Sequence, residues 1–241
     1  LTQTLCLIGI GAALWSLTGQ IGRCQWYTAE RVAIRRHDNR VVEIDLRLPP
    51  TFSRHYQAGQ FVLLTLHSSE GAHPFTILEH DTRSGLTTLV IKGLGDYTQQ
   101  LSERLQLGQQ AQIEGPFGRF ILPPAEAQPH YWIAGGIGIT PFIAWLEKLA
   151  ERGEQRPQTR LIYCVARHED LLFAERLRQL TQACGIQLQL LERDRDPRLE
   201  FGQLFQDSRS RCWFCGPLRM RQALARYLSS QRLHYERFEF R

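Results

Sequence analysis

The stretch Tyr131-Trp-Ile-Ala-Gly-Gly-Ile-Gly-Ile-Thr-Pro141 decides the fold, because four apolar residues run into a glycine turn there. Thr140 to Arg152 follows with Phe142, Leu146 and Leu149 at helical spacing, which predicts an amphipathic helix. Glycines between a strand and a helix let backbone amides approach a pyrophosphate, and the helix N-terminus favours negative charge. The stretch therefore predicts a strand, a phosphate-binding turn and a helix. A tight turn without a ligand is the alternative.

The chain beyond Pro129 alternates between strand-like and helix-like segments. Further strands are predicted at Leu161 to Val165, Ile186 to Leu190 and Trp213 to Cys215, and further helices at Leu171 to Thr181 and Leu218 to Leu228. Alternating β and α units predict a doubly wound parallel sheet. We assign residues 126–241 to this α/β domain.

The preceding segment, from Trp26 to about Leu122, has the pattern of β structure. Val42, Ile44 and Leu46 alternate with polar residues, as in a half-buried strand. One helical segment is predicted near residues 97–107. Several strands with one short helix predict a small antiparallel barrel. We assign it residues 23–125, and the stretch from Pro123 to Pro129 is predicted to be the linker.

Residues 1–22 carry no charged side chain and are long enough to span a bilayer as a helix. Arg23, Arg31 and Arg35 follow, which by the positive-inside rule places the downstream chain in the cytoplasm. We therefore expect a single N-terminal helix in the inner membrane, with cytoplasmic catalytic domains. A signal peptide, or an amphipathic or core helix, is the alternative.

The composition excludes several classes of protein. Hydrophobic residues make up 43% and charged residues 22% of the 241 residues, which excludes disorder and collagen. The net charge of +5 comes from scattered arginines and not from a clustered stripe, so no nucleic-acid partner is expected. Cys212 and Cys215 lie three apart on a predicted strand and point to opposite faces, so neither a metal site nor a redox pair is expected.

Three further motifs lie in the predicted barrel. His73-Pro-Phe-Thr76 offers an aromatic ring and a hydroxyl to a flat ligand, although a hairpin with a packed Phe is the alternative. Lys92-Gly-Leu-Gly-Asp-Tyr-Thr98 offers backbone amides and a helix N-terminus to a phosphate, or is an ordinary turn with an Asp cap. Glu114-Gly-Pro-Phe-Gly118 is a turn whose glycines permit close approach of a ligand.

These segments, in this order, resemble the ferredoxin–NADP⁺ reductase superfamily over about residues 26–241. The motif His73-Pro-Phe-Thr76 is most similar to the dehydrogenase half of NADPH oxidases and bacterial ferric reductases, as is Gly135-Gly-Ile-Gly-Ile-Thr-Pro-Phe142. Phe214-Cys-Gly-Pro217 resembles the nicotinamide-side motif of that branch, and His234-Tyr-Glu-Arg-Phe238 its C-terminal stretch. The resemblance implies a FAD-binding antiparallel β-barrel followed by an α/β NADP-binding domain.

The resemblance also implies the cofactors and their contacts. FAD and NADPH are expected, with NADH as an alternative donor. The expected catalytic residues are Thr76 near flavin N5, Cys215 near the nicotinamide and Phe238 over the flavin face. Phe240 is the alternative to Phe238. The alternative for Cys215 is that it is only a buried strand cysteine. The expected FAD contacts are His73, Pro74, Phe75 and Thr76 at the flavin, Lys92, Gly95 and Thr98 at the diphosphate, and Gly115 in the turn that permits close approach of a ligand. The expected nucleotide contacts are Gly136, Gly138, Thr140 and Pro141 at the NADPH diphosphate with Gly135 before them, Gly216 and Pro217 beside Cys215, and Arg167 at the 2′-phosphate or else solvated.

The activity implied by the resemblance is electron transfer from NADPH through FAD to haem, ferric iron or oxygen. The expected partners are a haem-bearing membrane region, upstream or in a separate subunit, and a small-molecule electron acceptor. No histidine precedes His37, so the chain as given lacks the paired histidines that hold haem in those enzymes. A soluble flavin or ferredoxin reductase, or a non-catalytic membrane-anchored nucleotide-binding subunit, is the alternative.

Overall fold

The computed structural model describes residues 25–37, 41–66, 71–93, 105–196 and 201–236. The first part of the described chain forms a closed antiparallel barrel with the strand order β1-β2-β5-β4-β3-β6. Its elements are β1 (Trp26–His37), β2 (Val41–Arg47), the short helix α1 (Pro50–Ser53), β3 (Phe61–Thr65), β4 (His73–His80), β5 (Leu86–Lys92) and β6 (Gln110–Phe117). The predicted antiparallel barrel is confirmed, while most of the helix predicted near residues 97–107 lies outside the described residues.

Alternation along the strands fills the barrel. On β2, Val42, Ile44 and Leu46 are buried in the barrel core, as their spacing predicts. Asp45 faces the other way and is also buried. The guanidinium of Arg35 compensates for this burial by donating to both carboxylate oxygens of Asp45, at 2.6 and 2.8 Å. The hydrogen bonds and the charge of Arg35 outweigh the effect of burial and lower the pKa of Asp45.

The second part of the chain forms a five-stranded parallel sheet with the order β11-β10-β7-β8-β9. Its strands are β7 (His130–Gly135), β8 (Thr159–Val165), β9 (Gln187–Glu192), β10 (Arg211–Cys215) and β11 (Leu233–Tyr235). Its helices are α2 (Thr140–Arg152), α3 (Ala174–Ala183), α4 (Phe201–Leu204) and α5 (Leu218–Leu224). The predicted doubly wound α/β fold is confirmed.

Helix α2 has the bounds that the sequence predicts. Pro141 lies in its first turn, where a missing N–H leaves no intrahelical bond unmade, and Gly153 ends it with a φ of 62°. The prediction for the next helix was wrong at its start. A short 3-10 turn, His168–Asp170, follows β8 first, and α3 begins at Ala174 and not at Leu171.

One hydrophobic core extends across both domains. It includes Leu78 and Phe120 from the barrel side and Trp132 and Trp145 from the α/β side. The ring of Trp145 stacks on Phe120 at a centroid distance of 4.8 Å, and its Nε1 donates to the carbonyl of Ala58 at 3.0 Å. Helix α2 therefore fixes the barrel against the sheet.

Among the residues that the structure describes, no helix is long and apolar enough to cross a membrane. The membrane helix predicted at residues 1–22 lies outside the described residues, and it stays a prediction. The same holds for the inner-membrane localisation.

Candidate functional site

The turn after β7 contains one glycine with open space beside it. Gly136 begins a 3-10 turn, Gly136–Ile139, with a φ of 56°, and it is partly exposed. Among the described residues, no heavy atom lies within 4 Å of a Cβ built on it. The hydroxyl of Thr140 donates to the carbonyl of Ile137 at 3.0 Å and thereby stabilises the turn. Gly136 is thus the point at which a phosphate group can approach this backbone closely.

The other glycines of this turn pack on the turn that follows β10. A Cβ built on Gly138 would lie 2.5 Å from the carbonyl carbon of Cys215 and 2.9 Å from the amide nitrogen of Gly216. A Cβ on Gly135 would lie 2.5 Å from Cδ of Pro217. Gly138 was predicted at the NADPH diphosphate and Gly135 as a cofactor contact, and both stay predictions. The structure shows that the Cβ side of each glycine packs on the neighbouring turn.

Cys215 ends β10 in register with Ala134 of β7, at the C-terminal edge of the sheet. Its side chain is buried, and this burial, together with the charge of Glu236, raises the pKa of the thiol to about 12. The thiol is therefore protonated at neutral pH, and it can contact a ligand or donate a weak hydrogen bond but is not a thiolate nucleophile. Cys212, on the same strand, is buried as well, and both are free cysteines.

Glu236 was missed by the sequence analysis. It follows β11, which pairs with β10 in parallel with Tyr235 opposite Phe214, so it comes beside Cys215. Its Oε2 lies 3.3 Å from a Cβ built on Gly118 at the end of the barrel. Glu236 lies within the motif His234-Tyr-Glu-Arg-Phe238, but only the pairing of β10 with β11 places its carboxylate beside Cys215.

A row of outward-facing residues on the barrel ends at the same place. Thr76 on β4 is in register with Phe61 on β3, and Phe61 with Phe117 on β6. The rings of Phe61 and Phe117 are 5.8 Å apart, and Phe61 also lies beside Gly118. Thr76 on the barrel and Cys215 on the sheet therefore lie on surfaces that meet through Gly118 and Glu236.

The four residues of the His73–Thr76 motif do not share one face of β4. Phe75 is opposite Val62 and packs with it in the barrel core. Pro74 lies on the outer face with Thr76, because side chains alternate along a strand. The structure thus gives the Phe75 ring the packed position that was the alternative in the sequence analysis.

Lys92 ends β5 and is paired within the protein. Its Nζ donates to Oδ1 of Asp170, at the end of the 3-10 turn after β8, at 2.8 Å. Burial raises the pKa of Asp170, but the hydrogen bond and charge of Lys92 outweigh it and hold that pKa below its ordinary value. The predicted contact of Lys92 with a diphosphate would therefore compete with this ion pair.

Arg167 precedes the same turn and lies at the C-terminal end of β8. It pairs with Glu169 at 2.7 Å, and both side chains are largely exposed. An exposed pair of this kind is weak, so Arg167 can turn toward a phosphate at this edge.

The remaining predicted contacts fall into two groups. Gly115 lies within β6, and Gly216 and Pro217 are exposed at the start of α5. Gly95, Thr98, Phe238 and Phe240 lie outside the described residues.

Comparisons with known proteins agree with this two-domain geometry. Residues 31–121 match the model of the oxidoreductase FAD-binding domain, and residues 132–226 match that of the oxidoreductase NAD-binding domain. The 2-halobenzoate 1,2-dioxygenase electron transfer component of Burkholderia cepacia is 26% identical over 88% of the chain, which covers 66% of that protein. The toluate 1,2-dioxygenase electron transfer component of Pseudomonas putida is 27% identical over 88% of the chain, which covers 67% of it. The chain thus spans about two thirds of the length of these relatives.

Solved structures share the fold. A ferredoxin NADP⁺ reductase from Neisseria gonorrhoeae with bound FAD and NADP aligns with 89% of the chain and 99% of its own, with a TM-score of 0.71 and 14% identity. The barrel therefore belongs to the oxidoreductase FAD-binding domain family and the parallel sheet to the oxidoreductase NAD-binding domain family, and together the two matches cover most of the chain.

Proposed function

We propose that the chain is an NAD(P)H-oxidising FAD reductase that delivers electrons to a separate redox protein. The observation that carries this proposal is the meeting of the two domains at Gly118, which lies beside Phe61, the strand partner of Thr76, and beside Glu236, the neighbour of Cys215. The two relatives named above are electron transfer components of dioxygenases, which supports an oxygenase or ferredoxin-type acceptor.

The two surfaces fit the two cofactors. On the barrel, Thr76 offers a hydroxyl in the same row as the Phe61 and Phe117 rings, which suits a flat flavin ring. On the sheet, the open backbone at Gly136 suits a dinucleotide diphosphate. Bound FAD supplies the hydride chemistry and the conversion of two-electron into one-electron transfer.

The protein orients the reaction. The turn at Gly136 would hold the diphosphate, Thr76 would hydrogen-bond the flavin near N5, and Cys215 would contact the nicotinamide. Productive transfer requires a separation of about 3–3.5 Å between the reacting atoms, so rigid placement of these groups is the main contribution of the protein. The partly exposed carboxylate of Glu236 can accept a hydrogen bond at the same junction.

The ferric reductase and NADPH oxidase branch is the competing hypothesis, and the motif His73-Pro-Phe-Thr76 favours it. In that case the acceptor would be haem in a membrane partner, ferric iron or oxygen, and the predicted helix at residues 1–22 would hold the chain at the inner membrane.

An anaerobic reduction experiment tests the proposal. The purified chain, loaded with FAD, is mixed with NADPH or NADH, and the loss of oxidised flavin absorbance is followed. We expect rapid reduction, followed by reoxidation that is faster with a ferredoxin than with ferric citrate or oxygen. Faster reoxidation by ferric citrate would favour the competing branch, and no reduction by either nucleotide would exclude an NAD(P)H reductase.

Thr76→Val provides a matched variant, since valine keeps the shape and removes the hydroxyl. We expect slower flavin reduction at saturating nucleotide with near-normal nucleotide affinity. An unchanged rate would exclude the proposed hydrogen bond to the flavin.

A further inference from the structure

We infer that Gly138 is a positioning residue for Cys215, whereas Gly136 is the glycine whose open side admits the nucleotide diphosphate. This inference rests on the proposed function and concerns how the two turns at the C-terminal edge of the sheet are held together. It separates Gly138 from Gly136, although the two glycines belong to the same motif.

Sterics distinguish the two glycines. Gly136 has a positive φ and, as far as the described residues show, open space at its Cβ position. Gly138 is buried, and its Cβ position is occupied by the peptide that links Cys215 to Gly216. A side chain at 138 would therefore meet this peptide before it could meet a ligand.

The packing between the turns is reciprocal. A Cβ built on Gly216 would lie 2.9 Å from the amide nitrogen of Gly135 and 3.1 Å from the ring of Phe214. Backbone thus contacts backbone from both sides, so a displacement of one turn would press on the other. The turn after β7 consequently sets the height of the Cys215 carbonyl and thiol above the sheet edge.

The consequence is kinetic. Gly138→Ala must displace the 215–216 peptide, because backbone cannot yield as the end of a flexible side chain can. A misplacement of about 1 Å at a hydride-transfer site can slow the reaction by about 100-fold. Diphosphate binding at Gly136 should change far less.

The first measurement does not depend on activity. The full chain with FAD is treated with iodoacetamide under native conditions, and alkylation of Cys215 is measured by peptide mass relative to Cys212, its buried neighbour on β10. We expect Cys215 to be protected in the wild type and alkylated at least about tenfold faster in Gly138→Ala, because displacement of the peptide exposes the thiol. Alkylation of Cys215 at the wild-type rate would overturn the inference.

The second measurement separates binding from hydride transfer. We expect Gly138→Ala to lower the limiting rate of flavin reduction by about tenfold or more and to change the Kd of NADP⁺ by less than about threefold. A raised Kd with an unchanged limiting rate would overturn the inference, since it would place Gly138 at the diphosphate. A wild-type protein that NAD(P)H does not reduce would refute the proposed function, while the alkylation result would still decide the inference.

Two variants complete the design. Gly153, at the far end of α2, has a positive φ of 62° and, within the described chain, open space at its Cβ position. Gly153→Ala should therefore lower stability slightly and leave both readouts unchanged.

Gly216→Ala places a methyl group in the same contact from the side of the opposite turn, and the overlap is milder. It should shift both readouts in the same direction by less, and it serves if Gly138→Ala does not fold. Wild-type readouts in a folded Gly216→Ala protein would count against the inference.

Discussion

The two edges of the parallel sheet are built in opposite ways. At the C-terminal edge, the turns after β7 and β10 meet backbone to backbone through Gly138 and Gly216. At the N-terminal edge, where β7 and β10 begin, long charged side chains and histidines join the elements. Parallel strands place all their carboxyl ends on one side, and ligands bind on that side. The difference shows which edge is free to bind ligands and which one fixes the fold.

The N-terminal edge is tied to the linker. The guanidinium of Arg156, buried before β8, donates to the carbonyl of Pro123 at 3.2 Å and pairs with Glu154 at 2.6 Å. The carboxylate of Glu126 lies 3.2 Å from both Arg211 on β10 and His130 on β7. Substitutions at this edge should therefore change stability, and those at the opposite edge should change binding or catalysis.

The largest effect is expected where the barrel meets helix α2. A substitution there should change both stability and catalysis, unlike a substitution at either edge of the sheet. Trp145 is fully buried against Phe120, Trp132 and Phe142, at centroid distances of 4.8 to 5.1 Å. Trp145→Ala should lower the free energy of unfolding by about 3–5 kcal/mol, measured by urea denaturation. It should also slow flavin reduction, because the barrel and the C-terminal edge would no longer be held together.

Trp145→Phe is the matched control. It keeps a ring beside Phe120 but removes the hydrogen bond to Ala58 and part of the indole volume, so it should cost less stability than Trp145→Ala and retain more of the reduction rate. Normal flavin reduction in Trp145→Ala would show that the domain contact does not position the site.

A smaller effect, confined to the N-terminal edge, is expected for Arg156. Arg156→Ala removes the contacts to Pro123 and Glu154 and should lower the free energy of unfolding by about 2 kcal/mol. Flavin reduction and the Kd of NADP⁺ should remain at wild-type values. A change in either at unchanged stability would contradict the division between the two edges.

The sequence predicts the helices, strands and turns better than it predicts the contacts between them. The glycine turn and helix α2 follow from local rules, since glycine spacing and the apolar period of residues 140–152 are local signals. The alternation on β2 likewise predicts which side chains enter the barrel. Local rules thus find the elements and the motifs that begin them.

Contacts between distant segments could not be predicted. Lys92 and Asp170 are 78 residues apart, and Glu236 reaches Cys215 only because β11 pairs with β10. The packing of Gly138 on the Cys215 peptide similarly depends on two turns that adjoin only in the folded sheet. These contacts follow from strand order, which a single sequence does not encode locally.

The next effect in size belongs to the C-terminal edge. Arg167→Ala should raise the KM for NADPH about tenfold, if its guanidinium makes a charge-assisted contact with the 2′-phosphate. The KM for NADH should stay unchanged, and so should the melting temperature, because the pair of Arg167 with Glu169 is exposed. Equal changes for both nucleotides would exclude Arg167 as the group that selects NADPH.

The smallest effect is a pH dependence at the N-terminal edge. The rings of His130 and His234 lie 4.7 and 4.9 Å from the ring of Trp213. Burial lowers the pKa of both histidines, and the charge of Arg211 contributes to the lowering. Glu126 opposes this shift at both rings, and Arg156 adds to it at His130.

The lowered pKa of these histidines gives the direction of the effect. In the unfolded chain, histidine binds a proton below about pH 6.5, whereas the folded protein binds it only at lower pH. Stability is therefore fully present above about pH 6.5 and is lost as the pH falls toward the folded pKa, by up to about 1.4 kcal/mol per pH unit for each histidine. His130→Gln should make the stability loss between about pH 7.5 and about 5.5 smaller than in the wild type, measured by urea denaturation at each pH. His80→Gln, in the barrel, should flatten the same curve, because burial lowers the pKa of His80 as well. A His130→Gln protein as acid-sensitive as the wild type would show that the fold does not lower the pKa of this histidine.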